Sequence, residues 1–462
     1  MISNSSPAII PGEAGSPKEK VFTVGSLIYT RAGLLSLFGW LLWGDFILTL
    51  MESVMPSLTP LLLKTHGASN REIVFIGSTI FMILNSALNP IISYQSDRLR
   101  SRWGRRRPFI VVTTPFVVLF LAAIPFAPEI LSGIRSVGIL DRLLSISPLA
   151  PLILMFIFLV AGFQAFNMFI SSVYYYLIPD VVPKEFLGRF YSLFRVFGAA
   201  AGMGYNYFIF GTAETHMRSI FVLTSLVYGF AILLMCWRVK EGEYPPAIVE
   251  AHGRWWSGIH NYAKECFGYS YYWWVFLAYS ALGWGSAGNV VTVFFYRDDL
   301  GFSLDFIGKM TAWSGFLFLV LSYPMGMLID RWGSHKTIIL GTALVPIFSI
   351  LTFFLAVDKE SAIVWMMLRS LPLALSGMAA MKWTVDVYPR DRYGQFGSAG
   401  ALFSSIGGIV AASVFGWWID WVKAYRYLFL WNAFFSVMGL VALLIVYRRW
   451  KVLGGPENYH AP

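Results

Sequence analysis

Runs of about twenty apolar residues recur along the whole chain, and no other feature limits its folding as strongly. A bilayer core of roughly 30 Å is crossed by about 20 residues of apolar helix. Twelve such segments are predicted, at approximately 33–62, 71–94, 107–127, 149–177, 190–211, 218–238, 271–296, 304–329, 336–356, 361–387, 396–421 and 427–447. Composition agrees: of 462 residues, 57% are hydrophobic and 13% charged, whereas soluble domains carry about a quarter charged residues. A water-soluble fold could not cover this much apolar surface. The expected class is an all-α membrane protein, with the lipid bilayer as its solvent.

Basic residues set the expected orientation. With the N-terminus in the cytoplasm, the tails, the even-numbered loops and their flanks hold 22 Lys and Arg, the opposite loops hold 10, and Arg195, Arg369 and Lys382 lie inside segments. Both termini are therefore expected in the cytoplasm, and the protein in the plasma (inner) membrane. Residues 1–30 lack a basic stretch followed by an apolar core, so they read as a disordered tail and not as a cleaved signal peptide. The run from Arg98 to Arg107 contains six arginines and falls on the cytoplasmic side, where anionic headgroups attract it. No soluble domain presents it to nucleic acid, which is not an expected partner. Cys236 and Cys266 lie on the reducing side, which argues against a disulfide.

The polar stretch 239–270, with a possible amphipathic helix at 254–267, divides the segments into six (31–238) and six (271–449), leaving a tail at 450–462. The halves repeat. Asp97-Arg98…Arg102-Trp103-Gly104 after segment 2 is echoed by Asp330-Arg331-Trp332-Gly333 after segment 8. Pro183…Gly188-Arg189-Phe190 after segment 4 is echoed by Pro389…Gly394-Gln395-Phe396 after segment 10. Two parallel six-helix repeats joined by a cytoplasmic linker resemble the major facilitator superfamily, which implies a site between the halves near midplane. The phrase Ser-Asp-Arg-Leu-Arg-Ser-Arg-Trp-Gly-Arg-Arg-Arg-Pro-Phe-Ile, residues 96–110, resembles the glycoside/pentoside/hexuronide:cation symporters and the sucrose/proton symporters related to them. That resemblance implies sugar transport.

Charge inside a membrane is expensive and marks function by default. Segment 1 holds Asp45 and Glu52, seven residues apart and so on nearly one face of a helix, with Asp45 near midplane and Glu52 about 10 Å further out. Burial disfavours the charged form of a carboxylate, which suits a proton carrier. Arg195 in segment 5 is the expected partner of these proton-coupling carboxylates, and Arg369 in segment 10 a candidate for substrate; Lys382 and Asp386 lie nearer the cytoplasmic end. In melibiose permease-type symporters the region matching Asn85 and Asn89 carries two carboxylates for a cation. Here both are neutral amides, which cannot balance a cation's charge, so proton coupling through Asp45 and Glu52 is expected and no metal site or cofactor is.

A sugar site needs hydrogen-bonding side chains beside an aromatic face. Segment 4 offers Gln164, Asn167, Ser171 and Tyr174 as one polar stripe, and segment 7 offers Trp284, Ser286, Asn289 and Tyr296. The expected substrate contacts are Asp45, Gln164, Asn167, Tyr174, Trp284, Asn289 and Arg369. The paired loops suggest a cytoplasmic gate of Asp97, Arg98, Arg102, Gly104, Arg105 and Arg106 facing Asp330, Arg331 and Gly333, with the basic run bridging to the opposite half when the site faces outward. The function expected is proton-coupled symport of a glycoside or disaccharide by a monomer. A transporter of another solute (lysolipid, nucleoside or other amphipathic molecule) and a non-transporting sensor are the alternatives. No P-loop is present, nor a Ser/His or metal-ligand motif of an intramembrane enzyme.

Overall fold

A computed structural model describes residues 21–136, 150–243, 262, 264–389 and 392–462. Its twelve passes are α1 (Arg31–Thr65), α2 (Ile80–Arg98), α3 (Arg107–Ala123), α4 (Ala150–Val181), α5 (Leu187–Gly204), α6 (Ala213–Arg238), α7 (Ser270–Gly285), α8 (Leu304–Trp332), α9 (Ser334–Leu355), α10 (Lys359–Val387), α11 (Tyr393–Val422) and α12 (Leu428–Val452). The pass of α2 begins earlier, with a turn at Asn70–Val74 and a π-helical stretch at Phe75–Thr79.

Between Lys184 and Arg238 the chain stays helical for 55 residues, yet it crosses twice. Ser57 of α1 meets Tyr205 beyond α5, and Asp45 faces Gly198 on α5, so α1 and α5 run parallel. Trp40 at the start of α1 lies under Arg238 at the end of α6, and Gly44 faces Met235, so α6 runs the other way. A π-helical stretch at Tyr205–Ile209, a 3-10 turn at Phe210–Thr212 and a non-helical His216 make the reversal. The seventh pass is broken: α7 gives way to 3-10 turns at Ser286–Val291 and a π-helical stretch at Phe295–Asp299.

Packing repeats with the sequence. In the first half α1 packs on α5 and α6, α3 on α4 and α6, and α2 on α4. In the second half α7 packs on α11 and α12, α9 on α10 and α12, and α8 on α10. The echoed phenylalanines hold equivalent places: Phe190 lies 5.0 Å from Phe38 of α1 and Phe396 lies 4.3 Å from Tyr272 of α7, ring to ring, both deeply buried. The halves meet along α5 against α8 and along α2 against α11. Since lipid is as apolar as the side chains, close packing and interhelical hydrogen bonds hold such helices together. Exposed Leu, Phe and Val on the outer faces are therefore no liability.

The amino-terminal stretch departs from expectation. Residues 22–29 form a two-stranded hairpin, β1 (Phe22–Val24) with β2 (Leu27–Tyr29). Phe22 packs on Phe186 at 5.1 Å, and Ser26 Oγ accepts from the Glu243 amide at 2.7 Å, which ties the hairpin to the ends of the first half. Most of the expected helix at 254–267, and residues 1–20, lie outside the described residues.

Candidate functional site

The face that carries the described chain ends is here the terminal face, and the other the distal face. The halves are joined by polar contacts at the distal face. Asp420 at the end of α11 accepts from the amides of Asn70 and Arg71 at 3.0 and 3.1 Å and pairs with the Arg71 guanidinium at 3.2 Å. Lys64 at the end of α1 pairs with Asp298, donates to Tyr425 Oη at 2.6 Å and sits over the Phe294 ring. Glycines let the backbones close: a Cβ at Gly308 of α8 would lie 2.2 Å from the Asn206 carbonyl oxygen. Toward the terminal face, Arg195 reaches across to the Met381 sulfur, at 4.0 Å.

Below the distal closure lies a cavity of about 440 Å³ between the halves. From the first half, Glu52, Ser53 and Ser57 of α1 line it together with Asn206; from the second come Asn289, Thr292, Tyr296, Thr311 and Arg369. Residues 52, 53, 56 and 57 share a helix face at 100° per residue, and Pro56 frees one carbonyl of that turn from its usual hydrogen bond. The π-helical stretches after α5 and within the seventh pass turn Asn206 and Tyr296 to the same space.

Three of the expected site residues, Glu52, Asn289 and Arg369, thus converge on one cavity. Glu52 is solvent-accessible although it lies deep in the molecule, because it opens onto that space. Arg369 is buried, its guanidinium stacked 5.0 Å from the Phe429 ring centre, and its Nε has no hydrogen-bond partner. Asp45 is fully buried one step away, against α5: a Cβ at Gly198 would come within 3.3 Å of its Oδ2, which has no partner. The small-residue face of α5 thus seats the Asp45 carboxylate. Among the described residues neither Asp45, Glu52 nor Arg195 makes an ion pair; Arg195 is exposed and acts on Asp45 only at longer range.

The segment 4 stripe is used differently from expectation. Asn167 is buried and its Oδ1 accepts from Tyr228 of α6 at 3.3 Å; Tyr174 is buried and donates to the Leu41 carbonyl; Gln164 is half-buried, and none of the three lines the cavity. Trp284 donates to the Ser404 carbonyl at 2.9 Å and packs on Phe403 and Phe435, inside the second half. Asn85 and Asn89 join α2 to α4: Asn89 donates to Asn85 at 3.3 Å and accepts from Ser172 at 3.0 Å. Ser53, Ser57, Asn206 and Thr311 escaped the sequence reading. For the two serines the signal was present, since both follow Glu52 on its helix face.

In the expected gate, the described partners of Arg105 and Arg106 are Asp180 and Glu241, both N-terminal to the second half. Arg105 and Arg106 both bind Asp180 at the end of α4, at 2.6 and 3.2 Å. The Glu241 carboxylate accepts from the amides of Arg105, Arg106 and Arg107 at 3.0, 3.0 and 2.7 Å. Gly104 makes room for it at a φ of +100°, where a Cβ would lie 2.5 Å from that carboxyl carbon. In the second half Asp330 pairs with Lys382 of α10 at 2.7 Å, and Gly333 turns the chain at a φ of +81°. Arg102 and Arg331 are exposed, Arg98 is half-buried, and the Asp97 side chain lies outside the described residues. The described polar contacts that join the halves lie at the distal face.

Two packed six-helix repeats around a central cavity lined by both polar and apolar side chains define a membrane transporter of the major facilitator type. Over residues 66–445 the chain matches the model of the MFS/sugar transport protein family, and it belongs to that family. Solved structures share the fold. A bacterial homologue of the iron transporter ferroportin in an inward-facing state gives a TM-score of 0.64 at 15% identity, covering 89% of this chain and 99% of that one. The nucleoside transporter NupG gives 0.65 at 12% identity, covering 89% and 99%. A D-xylose-proton symporter gives 0.62 at 16% identity, covering 90% and 97%. Their cargoes differ, and the likeness is one of fold.

Proposed function

We propose that this protein is a secondary active symporter that accumulates a glycoside, such as a disaccharide, with a proton by alternating access. In this reading it is a monomer in the plasma membrane with both termini in the cytoplasm, and the present arrangement faces inward. The observation that carries the reading is the pair of unpaired carboxylates on α1, Asp45 buried against α5 and Glu52 open to a cavity lined by hydroxyl and amide groups. A carboxylate without a cationic partner changes its charge readily on proton binding, and the cavity offers donors and acceptors of the kind sugar hydroxyls need. The family's description as sugar transport and the fold shared with a D-xylose-proton symporter point the same way.

Uptake of the proton by the Asp45 and Glu52 pair would precede or accompany sugar binding, and the loaded form would then break the Asp420 and Lys64 contacts less readily than the empty one. A ligand shifts such an equilibrium by its difference in affinity for the two states. The test is uptake by purified protein in liposomes, with a panel of mono- and disaccharides under an imposed proton or sodium gradient. Proton-driven accumulation of at least one sugar is expected, lost in Asp45→Asn with Glu52→Gln. Sugar-driven alkalinisation that survives the double substitution would refute the coupling residues, and failure of every sugar would refute the substrate class.

A further inference from the structure

The start of α3 in the first half and the start of α9 in the second are counterparts that differ in one respect. Each follows a glycine in the left-handed region, Gly104 at a φ of +100° and Gly333 at +81°. Each lies beside an aspartate at the end of a neighbouring helix: Asp180 of α4 takes Arg105 and Arg106, and Asp386 of α10 accepts from Ser334 Oγ at 2.5 Å. In the first half the Glu241 carboxylate, three residues beyond the end of α6, caps the amides of Arg105, Arg106 and Arg107. The residue three beyond the end of α12 is Gly455. Among the described residues no side chain caps α9.

A cavity of about 1000 Å³ opens there on the terminal face, walled by the start of α9, the ends of α10 and α12, and the C-terminal stretch. Tyr459 holds that stretch in place by donating to the Val387 carbonyl at 2.7 Å. Two buried ring nitrogens of the lining, His335 Nε2 and Trp450 Nε1, have no hydrogen-bond partner. His335 is only 7% exposed, and its ring stacks on Trp450 at 4.0 Å between centres. A buried polar atom left without a partner is costly, and each calls for an explanation. At the rim Lys336 and Lys451 are exposed and make no ion pair with a described residue, while Arg392 pairs with Glu265 at 3.6 Å. Asp386 is the carboxylate of the described lining, and the Ser334 hydroxyl engages it.

From this we infer that the cavity is a binding site for a phosphomonoester, whose phosphate takes the place at α9 that Glu241 fills at α3. The helix start offers free amides and the positive end of its dipole, and the lysines add compact cationic charge. Indole Nε1 donates to a phosphate oxygen; imidazole Nε2 donates in its charged form or accepts from a phosphate hydroxyl. That is more than the two oxygens of a carboxylate can satisfy, and it suits the three terminal oxygens and near-double charge of a phosphomonoester. A soluble sugar phosphate and a lipid headgroup at the membrane surface both present this group. The walls belong to the second half and its C-terminal stretch, so the site is separate from the cavity that Glu52 and Arg369 line.

The experiment is equilibrium dialysis of the purified full chain against radiolabelled glucose 6-phosphate, with thermal unfolding measured alongside. Saturable binding is expected, displaced by inorganic phosphate but not by glucose or by chloride at equal ionic strength. The melting temperature should rise by roughly 2–4 °C at saturation. Trp450→Phe, which keeps a ring and removes Nε1, should weaken binding about fivefold, and Lys336→Gln about tenfold. Lys336 is exposed, so its variant tests the site even if Trp450→Phe fails to fold. Repeating the dialysis in nanodiscs of phosphatidylcholine, with and without phosphatidic acid, separates the two sources. Binding that persists in both supports a soluble ester, and binding lost only with phosphatidic acid supports the headgroup. No saturable binding in detergent or in phosphatidylcholine discs would overturn the inference, as would displacement by glucose or chloride, or undiminished affinity in both variants.

Discussion

The carboxylate of Asp420, at the end of α11 in one half, accepts a hydrogen bond from the backbone amide of Asn70, at the start of the second pass in the other half, at 3.0 Å. It therefore serves as a helix cap supplied across the transport interface. Asn70 also accepts from Tyr425 Oη at 3.1 Å, and Tyr425 takes a bond from Lys64. The distal closure is one connected network.

Asp420→Ala should open that face. Loss of a capping carboxylate costs about 1–2 kcal/mol, and each 1.4 kcal/mol is tenfold in population. The cavity should become reachable from the distal side: a cysteine at Ser57, otherwise protected, should react roughly ten times faster with a membrane-impermeant thiol reagent added there. An unchanged rate would mean that the cap does not hold the closure.

Gly308→Ala should act in the same direction by a different force. The new Cβ would lie 2.2 Å from the Asn206 carbonyl oxygen, which is backbone and cannot swing away. Strain of this kind costs typically 1–3 kcal/mol and falls on the distally closed state alone. Thiol reactivity at the distal side should rise, and transport should slow at the inward-facing step.

Glu241→Ala should lower stability without changing which face is open. Its carboxylate caps three successive amides at the start of α3, and bonds to a charged acceptor contribute about 1.5–3 kcal/mol. Thermal unfolding in detergent should show the loss, while the relative reactivity of the two faces stays as in the wild type. Gly104→Ala should mimic it, because its Cβ would occupy the place of that carboxylate.

Tyr228→Phe tests the reassignment of Asn167 from solute contact to helix glue. The substitution leaves Asn167 Oδ1 without its donor, a loss of about 0.6 kcal/mol on average for bonds between membrane helices. The melting temperature should fall slightly, and the relative uptake of different sugars should not change. A changed sugar preference would place Asn167 back in the solute's path.

The helical passes and their twofold repetition were legible because each rests on local chain properties: apolar length, Pro and Gly positions, and charge beside a membrane. Asp45 and Glu52 stood out for the same reason, as carboxylates in an apolar run. The polar stripe of α4 misled because periodicity reports that side chains share a face, while the neighbour decides what the face meets. Asn167 meets Tyr228 and Tyr174 meets the α1 backbone. Trp284 was an aromatic in the right pass, but the 3-10 turn that follows it aims Asn289 at the cavity and leaves Trp284 among Phe403, Phe435 and Ser404.

The sequence by itself determined a membrane-embedded, twice-repeated helical chain with two carboxylates on its first helix, since the bilayer's thickness and lack of water act on every segment separately. The tertiary structure alone decided which charges meet. The arginine run pairs with Asp180 of its own half and with Glu241 just beyond it, the distal face is where described polar contacts tie the halves, and Glu52 shares a cavity with Arg369 more than three hundred residues away. Such pairings depend on distances between helices, and those are set by glycine-sized gaps and crossing backbones that no single segment specifies.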